Sequence, residues 1–421
     1  MQTQEQPIAN RVLFTEEMRE SGYTILFPSM LPIHFSLISR IMENYGYHMV
    51  MLENESRNVV ECGLKYVHND TCYPALLVIG QFIDALQSGR YDPHRTALML
   101  SQTGGGCRAS NYIALLRKAL EKAGFGYVPV ISLNFSGLED NPGFRLTAPM
   151  LLRLAFGILY GDLLMCLRNQ SRPYELHEGD TVRLTEEWTR RIAEEMSHAK
   201  LLHYGSVRKN YRAIVRDFAA IERSNVQKPR VGVVGEIFVK FSPLGNNHLE
   251  DFLLSEGAEV VMPGLLDFCL YWVKNNLVDY QLYGMHRGGY LLYRAAYRLL
   301  KKLQRDMIRE IQRVGNLRPP FQFDHAVELA QKIINLGAKM GEGWLLPAEM
   351  LELIDSGVNN IVCAQPFGCL PNHIMGKGMM KPLKEAYPNV NIVAVDYDPG
   401  ASRVNQENRI KLMLSNTQKQ A

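Results

Sequence analysis

Seven cysteines stand in this chain: Cys62, Cys72, Cys107, Cys166, Cys269, Cys363 and Cys369. Three of them sit among turn residues, in "NDTCYP", "GGGCRAS" and "PFGCLP". Thiolates bind metal, and helix starts with unpaired N–H groups favour the thiolate. Cys72 falls ahead of a helix beginning near Pro74, after a strand expected around Tyr66. Cys107 falls between a strand at Ala97 to Ser101 and a helix beginning near Ala109. Cys369 follows a strand at Ile361 to Gln365, with the next helix expected only near Gly378. All three lie past the carboxyl ends of strands, where open α/β sheets build their sites. Taken singly, each is equally a small buried residue. Cys166 in "LLMCL" and Cys269 in "LLDFCLYW" read as core. Cys363 and Cys62 are less certain ligands, Cys363 lying in the strand before Cys369.

Spacing narrows the chemistry. Close C-x-x-C pairs, usual in structural zinc sites and disulfide redox centres, are absent. Ligands distant in sequence but gathered at sheet ends suit an iron–sulfur cluster between two lobes. Three thiolates leave one iron of a [4Fe–4S] cluster open, whereas four are the ordinary electron-transfer set. The glycines Gly104, Gly105 and Gly106 do not make a phosphate loop, since no Lys-Ser/Thr follows, and G-x-G-x-x-G fails on spacing. Their amides suit cluster sulfurs or an anion instead, with Arg108 beside them. His373, Glu236 and His248 are candidate catalytic groups near the same strand ends.

The surrounding elements alternate. "YTILFPSM", "YHMVMLE", "TALMLS" and "YVPVISLN" read as strands separated by helices, and "KPRVGVVG", "AEVVMPG", "VNNIVCAQ" and "NVNIVAVDYD" repeat the pattern. The expectation is an α/β protein with two parallel-sheet, Rossmann- or flavodoxin-like lobes and helical insertions. Residues 1–145 form the first lobe, 146–228 a helical segment, and 229–421 the second lobe with a helical insertion at 265–312. A chain of 421 residues accommodates this. With 21% charged residues and a net charge of +3, no basic face is set aside for nucleic acid. "TAPMLLRLAFGILYGDLLMCL" carries Arg153 and Asp162 and reads as a buried helix rather than a membrane span. The start shows no apolar leader, so a cytoplasmic protein with reduced cysteines is expected.

"GLKYVHNDTCYPALLVIGQ", "SQTGGGCRASNYI", "GEGWLLPAEM" and "QPFGCLPNHIMGKGMMKPLKEAYPNVNIVAVDYDPGASRVNQENRIKLML" resemble the 2-hydroxyacyl-CoA dehydratase (component D) superfamily. The likeness is nearest to the branch found as the C-terminal part of large acyl-CoA dehydratase activase-related proteins. It extends over almost the whole chain. Relatives include benzoyl-CoA reductase-type subunits and double-cubane [8Fe–9S] proteins. The resemblance implies a cysteine-ligated cluster, [4Fe–4S] or double cubane, held by Cys72, Cys107 and Cys369. It also implies an ATP-hydrolysing activator (activase) that supplies low-potential electrons, and a related dehydratase subunit or homodimer as partner. The implied chemistry is that of a lyase or an ATP-dependent reductase component: a thioester carbonyl, reduced to a ketyl, expels a neighbouring hydroxyl. A double cubane asks for about six cysteines, and Cys166 and Cys269 look like core. A non-catalytic electron-transfer or scaffold subunit, and a zinc-binding structural protein, are the other readings of the same residues.

Overall fold

The computed structural model describes residues 11–68, 70–102, 106–133, 141–198 and 203–418. Among the described residues eight strands form two sheets. β1 (Thr24–Phe27), β2 (His48–Met51), β3 (Thr96–Ser101) and β4 (Val130–Leu133) make the first, in the order β2-β1-β3-β4. β5 (Arg230–Gly235), β6 (Glu259–Val261), β7 (Asn360–Pro366) and β8 (Asn391–Tyr397) make the second, in the order β6-β5-β7-β8. Every pairing is parallel. The chain is α/β, and the near-continuous apolar strands explain why: all seven residues of β7 are buried, as helices on both faces require.

In each sheet the order reverses at the pair formed by its first and third strands, β1 with β3 and β5 with β7. Loops at the carboxyl side of such a pair diverge and leave room for a site. The helix Tyr73–Gln87, buried almost throughout, belongs to one apolar core with Leu26 and Leu98 of the first sheet and Val231, Val362 and Val395 of the second.

Between the sheets in sequence come the helices Ala148–Ser171, Asp180–His198 and Tyr204–Ala219; Leu265–Tyr283 and Tyr290–Val314 interrupt the second half. These pack together around Tyr160, Tyr211, Phe218 and Trp344. Among the described residues Ala148–Ser171 alone is long and apolar enough to cross a membrane, and 61% of its apolar window is buried against its neighbours. Its Asp162 is spent inside the protein, accepting from Leu265 N at 2.7 Å and Leu266 N at 2.9 Å and meeting His34 Nε2 at 2.8 Å.

Two local expectations are corrected. Tyr66 ends a helix, Arg57–Tyr66, rather than lying in a strand. Tertiary packing decides this. A Cβ on Gly63 would lie 2.5 Å from the Leu76 carbonyl oxygen, and one on Gly80 2.1 Å from that of Val59, so the glycines let two helices cross at backbone contact. The helix after Cys369 is not delayed to Gly378. It starts at Leu370, with Pro371 in its first turn, and passes through a π-helical turn, His373–Lys377, into Gly378–Ala386.

Candidate functional site

Cys72, Cys107 and Cys369 each occupy the N-cap position of a helix: Tyr73–Gln87, the short 3-10 turn Arg108–Asn111, and Leu370–Asn372. Cys107 follows β3, and Cys369 follows β7. Three contacts hold their loops together. Tyr73 N donates to Phe367 O at 2.9 Å, tying the loop after β7 to the Cys72 helix. Gly368, with φ of +74°, passes so close that a Cβ would sit 3.2 Å from Cys72 Cα and 3.0 Å from Thr71 O. The Arg108 guanidinium donates to the Asp70 carbonyl, joining the Cys107 and Cys72 loops. From the other side, Gly106 N donates to Met340 Sδ at 3.2 Å.

The thiols are mostly buried and sense one another. Burial raises Cys72 above an ordinary thiol, and a hydrogen bond from the Tyr112 hydroxyl pulls it back. Burial pushes Cys107 up to about 11, with the charges of Glu342, Cys72 and Glu236 adding to the rise. Cys369 is pushed furthest, by burial and then by Glu342, Glu236 and Cys107. None makes a side-chain cap hydrogen bond of ordinary geometry, yet the N–H groups of Ala75, Ala109 and Asn372 favour the ionised sulfurs. Two buried sulfurs and a half-buried one, all raised in this way, call for a positive counterpart before they ionise.

Two carboxyls meet beside them at the start of the five-residue helix Ile237–Phe241, just past β5. Glu236 caps it, accepting from Val239 N at 2.9 Å, and Glu342 accepts from Ile237 N at 3.1 Å. Glu342 is held there by the turn Gly341–Gly343, both glycines having positive φ; a Cβ on Gly343 would lie 2.3 Å from Ala338 O. Burial raises both carboxyls, and for Glu236 the neighbouring Glu342 adds to it. A carboxyl raised this way carries a proton that it can donate.

The other candidates are dispersed. His373 Nδ1 donates to the Cys369 carbonyl at 2.8 Å, leaving Nε2 as the acceptor of the neutral ring. His248 Nε2 pairs with Glu55 at 2.9 Å and lines a separate cavity. Cys363 lies inside β7 in the core below Gly376, where burial lifts it to about 12. Cys62 is half-buried and faces Gln87 of the neighbouring helix Tyr73–Gln87. Cys166 accepts from Gln170 at 3.2 Å, and Cys269 packs against the helical core. Gly104 and Gly105 lie outside the described residues. Sequence reading missed Tyr112, whose hydroxyl meets Cys72 Sγ at 2.7 Å. The signal was present: a tyrosine five residues past Cys107, opening the helix Tyr112–Ala123.

Among the described residues no three or more His, Cys, Asp and Glu side chains gather around a point fit for one metal ion. Compared with known proteins, the chain matches no family model and none of the curated proteins.

Proposed function

We propose that this chain is an iron–sulfur protein that binds a [4Fe–4S] or larger cluster through Cys72, Cys107 and Cys369. In this reading it acts like a 2-hydroxyacyl-CoA dehydratase or reductase, taking a low-potential electron from an ATP-hydrolysing activator for chemistry on a small substrate such as an acyl-CoA. The observation that supports the proposal is the adjacency of three N-cap cysteines from three separate connections, whose loops are joined by the Tyr73–Phe367, Gly368–Cys72 and Arg108–Asp70 contacts. The donor set fits: soft sulfurs, backbone N–H groups aimed at them, and a hydroxyl donor from Tyr112. When bound, the cluster supplies low-potential electrons and, with three thiolates, an open iron.

The chain's own residues do the rest. Tyr112 hydrogen-bonds the Cys72 sulfur and orients it. Arg108 and Gly368 hold the three loops in register. Glu236, its carboxyl pushed up to about 8 by burial and by the neighbouring Glu342, holds a proton near the sulfurs, ready for a leaving hydroxyl or a reduced carbon. Seven free cysteines suit a reducing, cytoplasmic setting.

Iron and acid-labile sulfide analysis with EPR on anaerobically purified protein tests this. Brown protein with about four or more irons per chain is expected. Iron should be lost in Cys72→Ser, Cys107→Ser and Cys369→Ser, and kept in Cys269→Ser. Colourless protein with one zinc, or full iron in all three variants, overturns the proposal. Iron without turnover on any acyl-CoA, given activator and ATP, would reduce the role to electron transfer.

A further inference from the structure

The cavity that His248 lines is separate from the cysteine site: neither the three N-cap cysteines nor Tyr112 and Glu342 belong to its wall. It encloses about 780 Å³, the size of a small-molecule pocket. Its walls are the helix Pro32–Glu43, the helix Asp180–His198 and residues 240–251. Leu31, Met165, Phe241 and Met262 give it an apolar surface and pack in one cluster.

Against that surface stand polar groups that the protein leaves open. The helix Pro32–Glu43 begins at this wall. Its N-cap is Leu31, which brings no side-chain oxygen, and Pro32 follows. The Ile33 and His34 N–H groups then have no acceptor within the helix. Leu31 takes the left-handed region, with φ of +48°, a conformation a leucine keeps only where its surroundings compel it.

His34 supplies a further group, and it is 1% exposed. Its Nε2 meets Asp162 Oδ1 at 2.8 Å, and Asp162 is itself fixed by the Leu265 and Leu266 N–H groups. The ring packs directly on Gly161, where a Cβ would lie 2.3 Å from Cδ2. The ring is thus held in place, yet Nδ1 has no hydrogen-bond partner among the described residues. A buried ring nitrogen left open calls for a partner. His34 lines the cavity, which is the space open to one.

Charge decides the kind of partner. Four Lys and Arg on the wall stand against five Asp and Glu, so the cavity does not select an anion. Lys240 is already paired with Glu349, Arg168 with Glu250 and Arg40 with Glu43, each at 2.8 Å. A hydroxyl or a primary amide both donates and accepts. Either therefore serves Nδ1 whether or not that nitrogen carries a hydrogen, and its oxygen takes a helix N–H. A carboxylate only accepts.

We propose that this cavity binds a small uncharged molecule with a hydroxyl or primary-amide head on an apolar body. The head meets His34 Nδ1 and the N–H groups at the helix start. The body lies on Leu31, Met165 and Phe241. The site stands apart from the function proposed above.

The test titrates the full, iron-free protein, labelled with 15N-histidine, with 1-hexanol, hexanamide and hexanoate. His34→Phe assigns the His34 Nδ1 resonance. 1-Hexanol and hexanamide are expected to move that resonance saturably and, by calorimetry, to bind at least about fivefold more tightly than hexanoate, the worth of one hydrogen bond. Ser36 is exposed on the cavity wall. Ser36→Trp should weaken both ligands by about tenfold or more by filling the space they need, with the melting temperature unchanged. If His34→Phe does not fold, Ser36→Trp carries the test by calorimetry. An unmoved Nδ1, unchanged binding in Ser36→Trp, or hexanoate binding as tightly as the other two overturns the site. Absence of iron overturns the proposed function and leaves these affinities standing.

Discussion

A hydroxyl and two carboxyls set the character of the cysteine site. The Tyr112 hydroxyl shares a hydrogen bond with the Cys72 sulfur from a position 9% exposed, so its removal leaves that sulfur without this partner. Tyr112→Phe should cost roughly 1 kcal/mol of stability, seen in urea unfolding. In loaded protein it should also lower the reduction potential in an EPR-monitored titration, because a donor to sulfur stabilises the reduced form. Glu236 behaves differently. Its carboxyl binds a proton more tightly in the folded chain than in the unfolded one. Its contribution to stability is therefore full below the ordinary carboxylate range and is lost as pH rises through its raised value. Glu236→Gln removes that slope. The variant should gain urea midpoint over the parent at pH 8 and change little at pH 4.

At the level of elements, the geometry depends on backbone that passes too close for side chains. Gly368 lies in the left-handed region and against the Cys72 backbone at once. Gly368→Ala should cost about 1–3 kcal/mol and displace Cys369 from Cys72, so iron content should fall with the melting temperature. Gly80→Ala puts a methyl into the Val59 carbonyl and should destabilise more, with no direct contact to any of the three thiols. Such crossings also show where sequence reading reaches its limit. Strands such as Val231–Val234 announced themselves by their apolar runs, and the helices on either side by their spacing. "LKYV" carries β-favouring residues, and only the partner helix reveals that Gly63–Tyr66 is helical. The N-cap cysteines were legible from their turn residues. The ion pair of Lys240 Nζ with Glu349 Oε1 was not, since nothing local marks a polar tip that will face a residue 109 positions away.

For the molecule as a whole, the shared core decides how it unfolds. Leu98 and Val362 belong to different sheets but to one apolar cluster with the Tyr73–Gln87 helix. Far-ultraviolet circular dichroism and tryptophan fluorescence should give coincident urea transitions; two separated transitions would show halves that fold independently. The strand orders β2-β1-β3-β4 and β6-β5-β7-β8 are the same order written twice. Laid on one another, β3 falls on β7, and the Cys107 loop becomes the counterpart of the Cys369 loop. β1 falls on β5, and Glu236 has Pro28 as its counterpart. The same strand order is thus used twice, with a thiol at the equivalent address past each sheet and an acid past only one of them. The repeated topology gives two sulfurs matching positions, and the difference at a single loop makes the two ends of the site chemically unlike.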